Sequence, residues 1–496
     1  MPRRLAARWL VACHRWLGIG MGALFVLWFA SGLVLMWRGM PELDEARRLA
    51  RLPPLDLASA RVDPAAAAAT AGIEPEALTV GMLGARPVYR LRARGRVTTV
   101  YADSGETFAG FDPDSALARV RALRPDVAAT LRYDRRLDRP DQWTLQSRAL
   151  LPMHRVELGD GDGAVAYLSD RTGELALETS RASRLWGRAG AVVHWMYFTP
   201  LRRHGSVWLQ TMIWLSVAGL ALCLSGLGWG AWAWLRRRRS PYTGWLRWHH
   251  LAGLLFGVLT LTWTLSGLLS LDPWSWHPGT GPTPFQVATV RGGPLGPGGF
   301  GVERLRDGLR ALRSSLEVRE LELGRFRGEP FLLTRAAEDP RRRFVAWLGA
   351  ADARASGPDR RELVAAAEAA MPGWRAVAAD RLERYDAYYY HRAGTRPLPV
   401  LRVRFDDPAA TALYLDALTG APVHREQRLT RWNRWLYHGL HSWDHPALLQ
   451  RPWLREPLMV LGLLGGLVAS AAAAAPGCRR LARALRRPAS KTPGRE

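Results

Sequence analysis

The sequence predicts a membrane protein: an all-α bundle of four transmembrane helices with two α+β domains on its outer side, built as an internal duplication. Three observations predict it. Four long uncharged runs interrupt an otherwise charged chain. The short basic segments fall on one side if every run crosses a bilayer. Two sets of residues recur at fixed spacings in the two halves.

The runs are Trp16 to Trp37 (22 residues), Gly205 to Leu235 (31), Trp248 to Leu271 (24) and Pro457 to Cys478 (22). A helix needs about 20 apolar residues to cross the hydrocarbon layer, so each run qualifies. The first is too long for a signal-peptide core and no small-residue cleavage site follows it, so it reads as a retained helix. Basic residues set the orientation: Arg3, Arg4 and Arg8 precede helix one, Arg236 to Arg239 and Arg247 join helices two and three, and the tail from Arg479 is Arg-rich. Short basic flanks stay cytoplasmic, so both termini lie inside. Arg202 and Arg203 run against that rule. The resulting plan is 1–37 (tip and helix one), 38–204 (outer domain), 205–235 (helix two), 236–247 (cytoplasmic loop), 248–271 (helix three), 272–456 (outer domain), 457–478 (helix four) and 479–496 (basic tail).

The inside segments hold more than half of the net charge of +25. The remainder makes the outer face basic, suited to anionic ligands or lipid headgroups. A genome that prefers Arg to Lys gives the same excess, and no nucleic-acid partner is expected there. Cys13, Cys223 and Cys478 all lie in or beside the runs. The outer domains therefore have neither a disulfide framework nor a C-x-x-C-H haem attachment site.

The duplication rests on spacing. His14-Arg-Trp-Leu-Gly18 matches His249-His-Leu-Ala-Gly253, and Ser31-Gly32 and Ser266-Gly267 each follow their His by 17 residues. Tyr167-Leu-Ser-Asp-Arg-Thr-Gly173 matches Tyr414-Leu-Asp-Ala-Leu-Thr-Gly420, and 21 residues beyond each Gly stand His194 and His441. Each outer domain divides again into two units, a helix followed by antiparallel strands that end in a tight turn. Helices are expected near 60–70, after 115, at Val302 to Leu316 and at Arg360 to Met371. Strands are expected at Val88 to Leu91, at Val97 to Tyr101 and near Phe344 to Gly349. The Gly- and Pro-rich stretch Thr280 to Gly301 reads as a linker.

These features resemble the PepSY-associated transmembrane family: the helix-opening His-Arg-Trp-Leu-Gly, the later Ser-Gly, the Tyr-x-Asp-x-x-Thr-Gly turns and the four-helix layout. The resemblance covers nearly the whole chain. It implies PepSY-like units in the outer domains and a place in a bacterial inner membrane, with the outer domains periplasmic. It also implies kinship with iron-regulated proteins, some of them haem-containing ferric-siderophore reductases. Some relatives carry a fused flavin reductase domain, but this sequence shows no P-loop.

Haem iron takes one or two neutral imidazoles across a helix bundle. Of the 12 His, only His14, His249, His194 and His441 recur in both halves. A twofold axis along the membrane normal would pair His14 with His249 near the cytoplasmic face and His194 with His441 near the outer face. Each pair could clamp one haem b, giving two haems. Read without the repeat, the same residues are interfacial anchors beside Arg and Trp. His438, His441 and His445 would share one face of a continuous helix, a possible zinc or iron cluster. His250 has no equivalent in the first half. His154-Arg155 and Tyr390-His391-Arg392 lie in the outer domains; there His154, Tyr390, His391 and Arg392 are candidates for contact with a flat substrate, and strand packing explains their neighbouring aromatics equally well.

The function expected is electron transfer across the membrane, from an unidentified cytoplasmic or membrane donor to a ferric siderophore outside. Two alternatives stand beside it. One is a periplasmic binding or peptidase-regulating protein without redox work. The other is a transporter, weakened because the runs hold no Asp or Glu to relay protons.

Overall fold

The computed structural model describes residues 2–313, 316–337, 342–349 and 357–485. Residues 486–496, most of the expected basic tail, lie outside them. The chain forms two compact units, one from 1–40, 185–277 and 432–496, the other from 41–184 and 278–431.

The first unit holds four long helices: α1 (Pro2–Leu35), α2 (Gly205–Arg237), α3 (Gly244–Ser270) and α4 (Pro452–Leu485). Each is long and apolar enough to cross a membrane. They outrun the uncharged stretches because Leu, Ala and Arg propagate a helix whether or not it is apolar. His14 therefore lies about three turns inside α1 rather than at its opening. The helices form a ring: α1 packs on α2 and α4, and α3 packs on the same two. His14 on α1 and His249 on α3 thus face each other across the ring. Two arms complete the unit. The arm before α2 rests on α1, and the arm before α4 rests on α3.

The second unit is α+β. Its strands are β1 (Ala77–Leu83), β2 (Arg86–Ala93), β3 (Arg96–Tyr101), β4 (Arg132–Leu137), β5 (Met153–Glu157), β6 (Val165–Ser169), β7 (Leu175–Thr179), β8 (Val318–Phe326), β9 (Glu329–Ala336), β10 (Val345–Trp347), β11 (Ala376–Leu382), β12 (Val400–Phe405), β13 (Ala412–Asp416) and β14 (Pro422–Glu426). They form a six-stranded sheet, β10-β9-β8-β1-β2-β3, and two four-stranded sheets, β4 to β7 and β11 to β14. The expected helices appear at Pro64–Thr70, Pro113–Leu123, Val302–Arg313 and Arg360–Ala369.

The sequence plan gave each half its own outer domain. Instead, β1 of the first half pairs antiparallel with β8 of the second, with Leu78 opposite Leu323 and Val80 opposite Leu321, all buried. The pairing removes two bare sheet edges at once. It also merges the apolar faces of both halves into one core, from Leu55 and Tyr89 to Leu321 and Leu332.

A buried ion cluster pins this junction. Arg48 lies 2.8 Å from Glu174 and 2.6 Å from Glu320. Arg90 on β2 lies 2.5 Å from Glu174 and 3.4 Å from Glu320 on β8. Burial pushes the Glu320 carboxyl up, but its bonds to Arg48 and the attraction of Arg48, Arg90 and Arg335 outweigh that and hold it below the ordinary range.

The expected linker Thr280 to Gly301 contains a helix at Pro284–Arg291. Its signals are in the sequence: Thr283 and Gln286 form a reciprocal capping box, Pro284 takes the first turn, and Gly292 closes the helix in the left-handed conformation at φ 85°. The richness in Gly and Pro hides those signals.

Candidate functional site

Two pairs of His rings meet inside the helical unit. The His14 and His249 rings have centroids 5.9 Å apart and planes at 29°. The His194 and His441 centroids are 6.3 Å apart, with planes at 72°. Two imidazoles on opposite sides of one metal ion, each at about 2 Å, place their ring centres ~6 Å apart. Both pairs have that separation.

The arms explain how His194 and His441 reach the bundle. Each arm contains a π-helical turn, Arg188–Val192 and Arg434–Gly439, and the His stands two residues beyond it. Such turns widen the backbone and re-aim the side chains that follow. Two residues after each His the backbone turns left-handed, at Met196 (φ 51°) and Trp443 (φ 53°), and the helical arm stops. This break separates His445 from the face carrying His438 and His441, so the three do not line one continuous helix.

Every ring of the four is held at Nδ1. His14 donates to the Leu222 carbonyl at 3.1 Å, and His249 donates to the Ala469 carbonyl at 2.9 Å. Leu222 on α2 and Ala469 on α4 stand 247 residues apart, the spacing that separates His194 from His441. His194 donates to Ser31 Oγ at 3.1 Å and lies 3.2 Å from the Trp28 carbonyl. His441 Nδ1 lies 3.0 Å from Ser266 Oγ. A carbonyl can only accept, and each serine hydroxyl gives its own proton to its helix, Ser31 to Leu27 at 2.6 Å and Ser266 to Trp263 at 3.1 Å. His14, His194 and His249, each with a carbonyl at Nδ1, are therefore Nδ1–H tautomers, the state in which an imidazole ligates a metal through Nε2.

An apolar cavity of about 280 Å³ opens between His14 and His249. Glycines line it at helical spacing on three helices: Gly18 and Gly22, Gly226 and Gly230, Gly253 and Gly257. Rows without side chains leave smooth walls, and a flat apolar ring fits such walls. Phe25 also lines this cavity, and rings continue from it through Phe29 to Trp263, at centroid distances of 6.3 Å and 6.0 Å. Trp263 stacks on Trp443 at 6.0 Å and donates to the His441 carbonyl at 3.0 Å. Trp443 packs against the bundle core, whereas Trp16 and Trp195 are exposed.

The other candidate residues are placed differently. His250 is buried with both nitrogens engaged, Nδ1 by Ser240 Oγ and Nε2 by the Gly230 carbonyl, each at 3.0 Å, so it ties the short loop to α2. His154 on β5 is 1% exposed, bonded to Asp170 at 2.8 Å and to the Tyr133 hydroxyl at 3.1 Å, which makes it an interior group. Tyr390, His391 and Arg392 lie in the loop between β11 and β12; His391 is exposed, with Nδ1 2.9 Å from Thr395 Oγ1.

Sequence reasoning missed Gly226 and the carbonyls of Leu222 and Ala469. Gly226 carries no local signal, and a backbone acceptor leaves no trace in side-chain identity. No curated protein matches the chain at a significant level. Most of α1, all of α2 and α3, and His14, His194 and His249 fall within residues 11–308, which match the model of the PepSY-associated TM region, and the chain belongs to that family.

Proposed function

We propose that this chain is a haem-holding electron carrier of the bacterial inner membrane that reduces ferric siderophores on the periplasmic side. One observation carries the reading: two pairs of His rings, each ~6 Å apart and each held at Nδ1. His14 and His249 would hold one haem b, and His194 and His441 the other. When bound, haem supplies a one-electron Fe(III)/Fe(II) couple.

The chain's own groups do the rest. The Nδ1 bonds fix ring orientation and raise the donor strength of Nε2. The glycine-lined, largely apolar cavity would take a planar ring. His14 and Ser31 stand 17 residues apart on one helix, about 25 Å, so the two sites span most of a hydrocarbon layer. The recurrence of His, Ser-Gly and carbonyl acceptor at fixed offsets supports an internal duplication. The basic flanks support cytoplasmic termini and a periplasmic α+β unit. Fe(II) is softer than Fe(III) and binds hard oxygen chelators less tightly, so one electron delivered to the ferric siderophore loosens the metal. The donor would be a cytoplasmic or membrane reductant.

The test is the absorption spectrum of the purified full-length protein. A Soret band with sharp bands on reduction is expected. A colourless protein from haem-replete cells overturns the reading and leaves a PepSY-type binding or regulatory role in its place.

A further inference from the structure

We infer that Ser31 and Ser266 are positioning residues whose hydroxyls set the donor strength of His194 and His441, and with it the redox potential of that one site. The inference rests on the haem reading above.

The Ser-Gly pair stands out in the sequence with no evident task, 17 residues after His14 and again after His249. In the structure it forms a seat for a His from another segment. Ser31 is 2% exposed and Ser266 is fully buried. Each hydroxyl reaches both a carbonyl of its own helix, at Leu27 or Trp263, and the Nδ1 of His194 or His441; with its one proton on the carbonyl, its oxygen accepts the Nδ1–H. The neighbouring glycine supplies the room. A Cβ at Gly32 would lie 3.6 Å from His194 Cε1, and one at Gly267 would lie 3.8 Å from His441 Cε1. Hydroxyl and glycine together fit the edge of an imidazole.

An acceptor at Nδ1 pushes electron density toward Nε2 and favours the more highly charged metal ion. Removing it should favour the ferrous state and raise the potential. Changes at Ser31 and Ser266 leave the first pair in place, since His14 bonds the Leu222 carbonyl, with Ser225 Oγ 3.4 Å away, and His249 bonds the Ala469 carbonyl. The two serines act on the second site alone. Helices α1 and α3 each carry a ligand for one site and the orienting hydroxyl for the other, so one rigid element registers both.

The test is a reductive titration of the full-length haem-loaded protein, followed optically with dithionite as the one-electron source, on wild type, Ser31→Ala, Ser266→Ala, Ser266→Thr and Ser216→Ala. Ser216 is a buried serine of α2 that donates to the Met212 carbonyl of its own helix, and it serves as the control. Two redox components are expected in wild type. Ser31→Ala and Ser266→Ala should raise one midpoint and leave the other in place, or lose one haem of two, whereas Ser266→Thr and Ser216→Ala should titrate as wild type. Alanine variants with two haems and unshifted midpoints overturn the inference, as does an equal shift of both components. Threonine failing to restore what alanine loses also overturns it. A wild type without haem sinks the underlying reading instead, so the two failures are distinguishable.

Discussion

Gly226 on α2 faces His14 on α1 so closely that a Cβ at position 226 would stand 2.5 Å from His14 Cε1. Alanine there would favour the helix by about 1 kcal/mol, so any loss in Gly226→Ala comes from the clash. The clash should push the His14 ring off its Leu222 acceptor and cost ~1–3 kcal/mol as overpacking. Haem per protein should fall toward half while helix content by circular dichroism stays unchanged. Full haem content in this variant would mean that His14 is not held where the site needs it.

The pairing of ligands makes its own prediction. His14→Ala and His249→Ala should each lower haem content to about half, and the double variant should lose no more than either single one, because both remove the same site. A double variant that loses twice as much would assign the two residues to different sites.

The helices and the His pairs were legible because apolar length, basic flanks and fixed spacing are local signals. His14 could be matched to His249 before any distance was known, because symmetry alone pairs equivalent residues. The joining of the two halves was not legible. Nothing local in Leu78 or Leu323 says that β1 will pair with β8, since an apolar strand fits any open edge with matching alternation. The π-turns were hidden for a related reason: Arg188–Val192 and Arg434–Gly439 read as ordinary helix until packing against α1 and α3 decides their winding. The helix at Pro284–Arg291 was legible from Thr283 and Gln286, but the surrounding glycines and prolines outweighed them.

Glu320 should contribute stability that acid removes, against its neighbour Glu174, whose carboxyl is pushed up by burial and works in the opposite sense. The folded pKa of Glu320 lies below the unfolded value of about 4.3. Its contribution is therefore complete above that value and is lost as pH falls through the lower folded one. Thermal denaturation of the full-length protein in detergent should show stability dropping below about pH 4. Glu320→Gln leaves Glu174 as the remaining buried partner of Arg48 and Arg90, so it should cost about 1–3 kcal/mol at neutral pH and flatten the acid dependence. An unchanged melting temperature would show that the junction between β1 and β8 stands on its apolar core alone.

Orientation can be read with a reporter active only outside the cytoplasm. Fusions after Gly110 or Gly349 should give signal, and a fusion after Ser240 should give none. Signal at Ser240 would overturn the topology drawn from Arg236 to Arg239.

The order of the two sites gives the last prediction. If the donor lies inside and the ferric chelate outside, the site of His194 and His441 is the one that meets substrate. His441→Ala should empty it and leave the site of His14 and His249 reducible. Electrons would then stop about 25 Å short along α1, the distance from His14 to Ser31 at 1.5 Å per residue. In membranes carrying His441→Ala, the remaining haem should be reduced normally but reoxidise slowly when a ferric siderophore is added outside. In wild type the reoxidation should be fast, with Fe(II) appearing. If fully reduced wild-type protein is left untouched by a panel of ferric siderophores, the reductase assignment fails while the His pairs and topology stand. If the variant reoxidises as fast as wild type, His441 is off the path, and His438, one turn earlier on the same arm, becomes the residue to test.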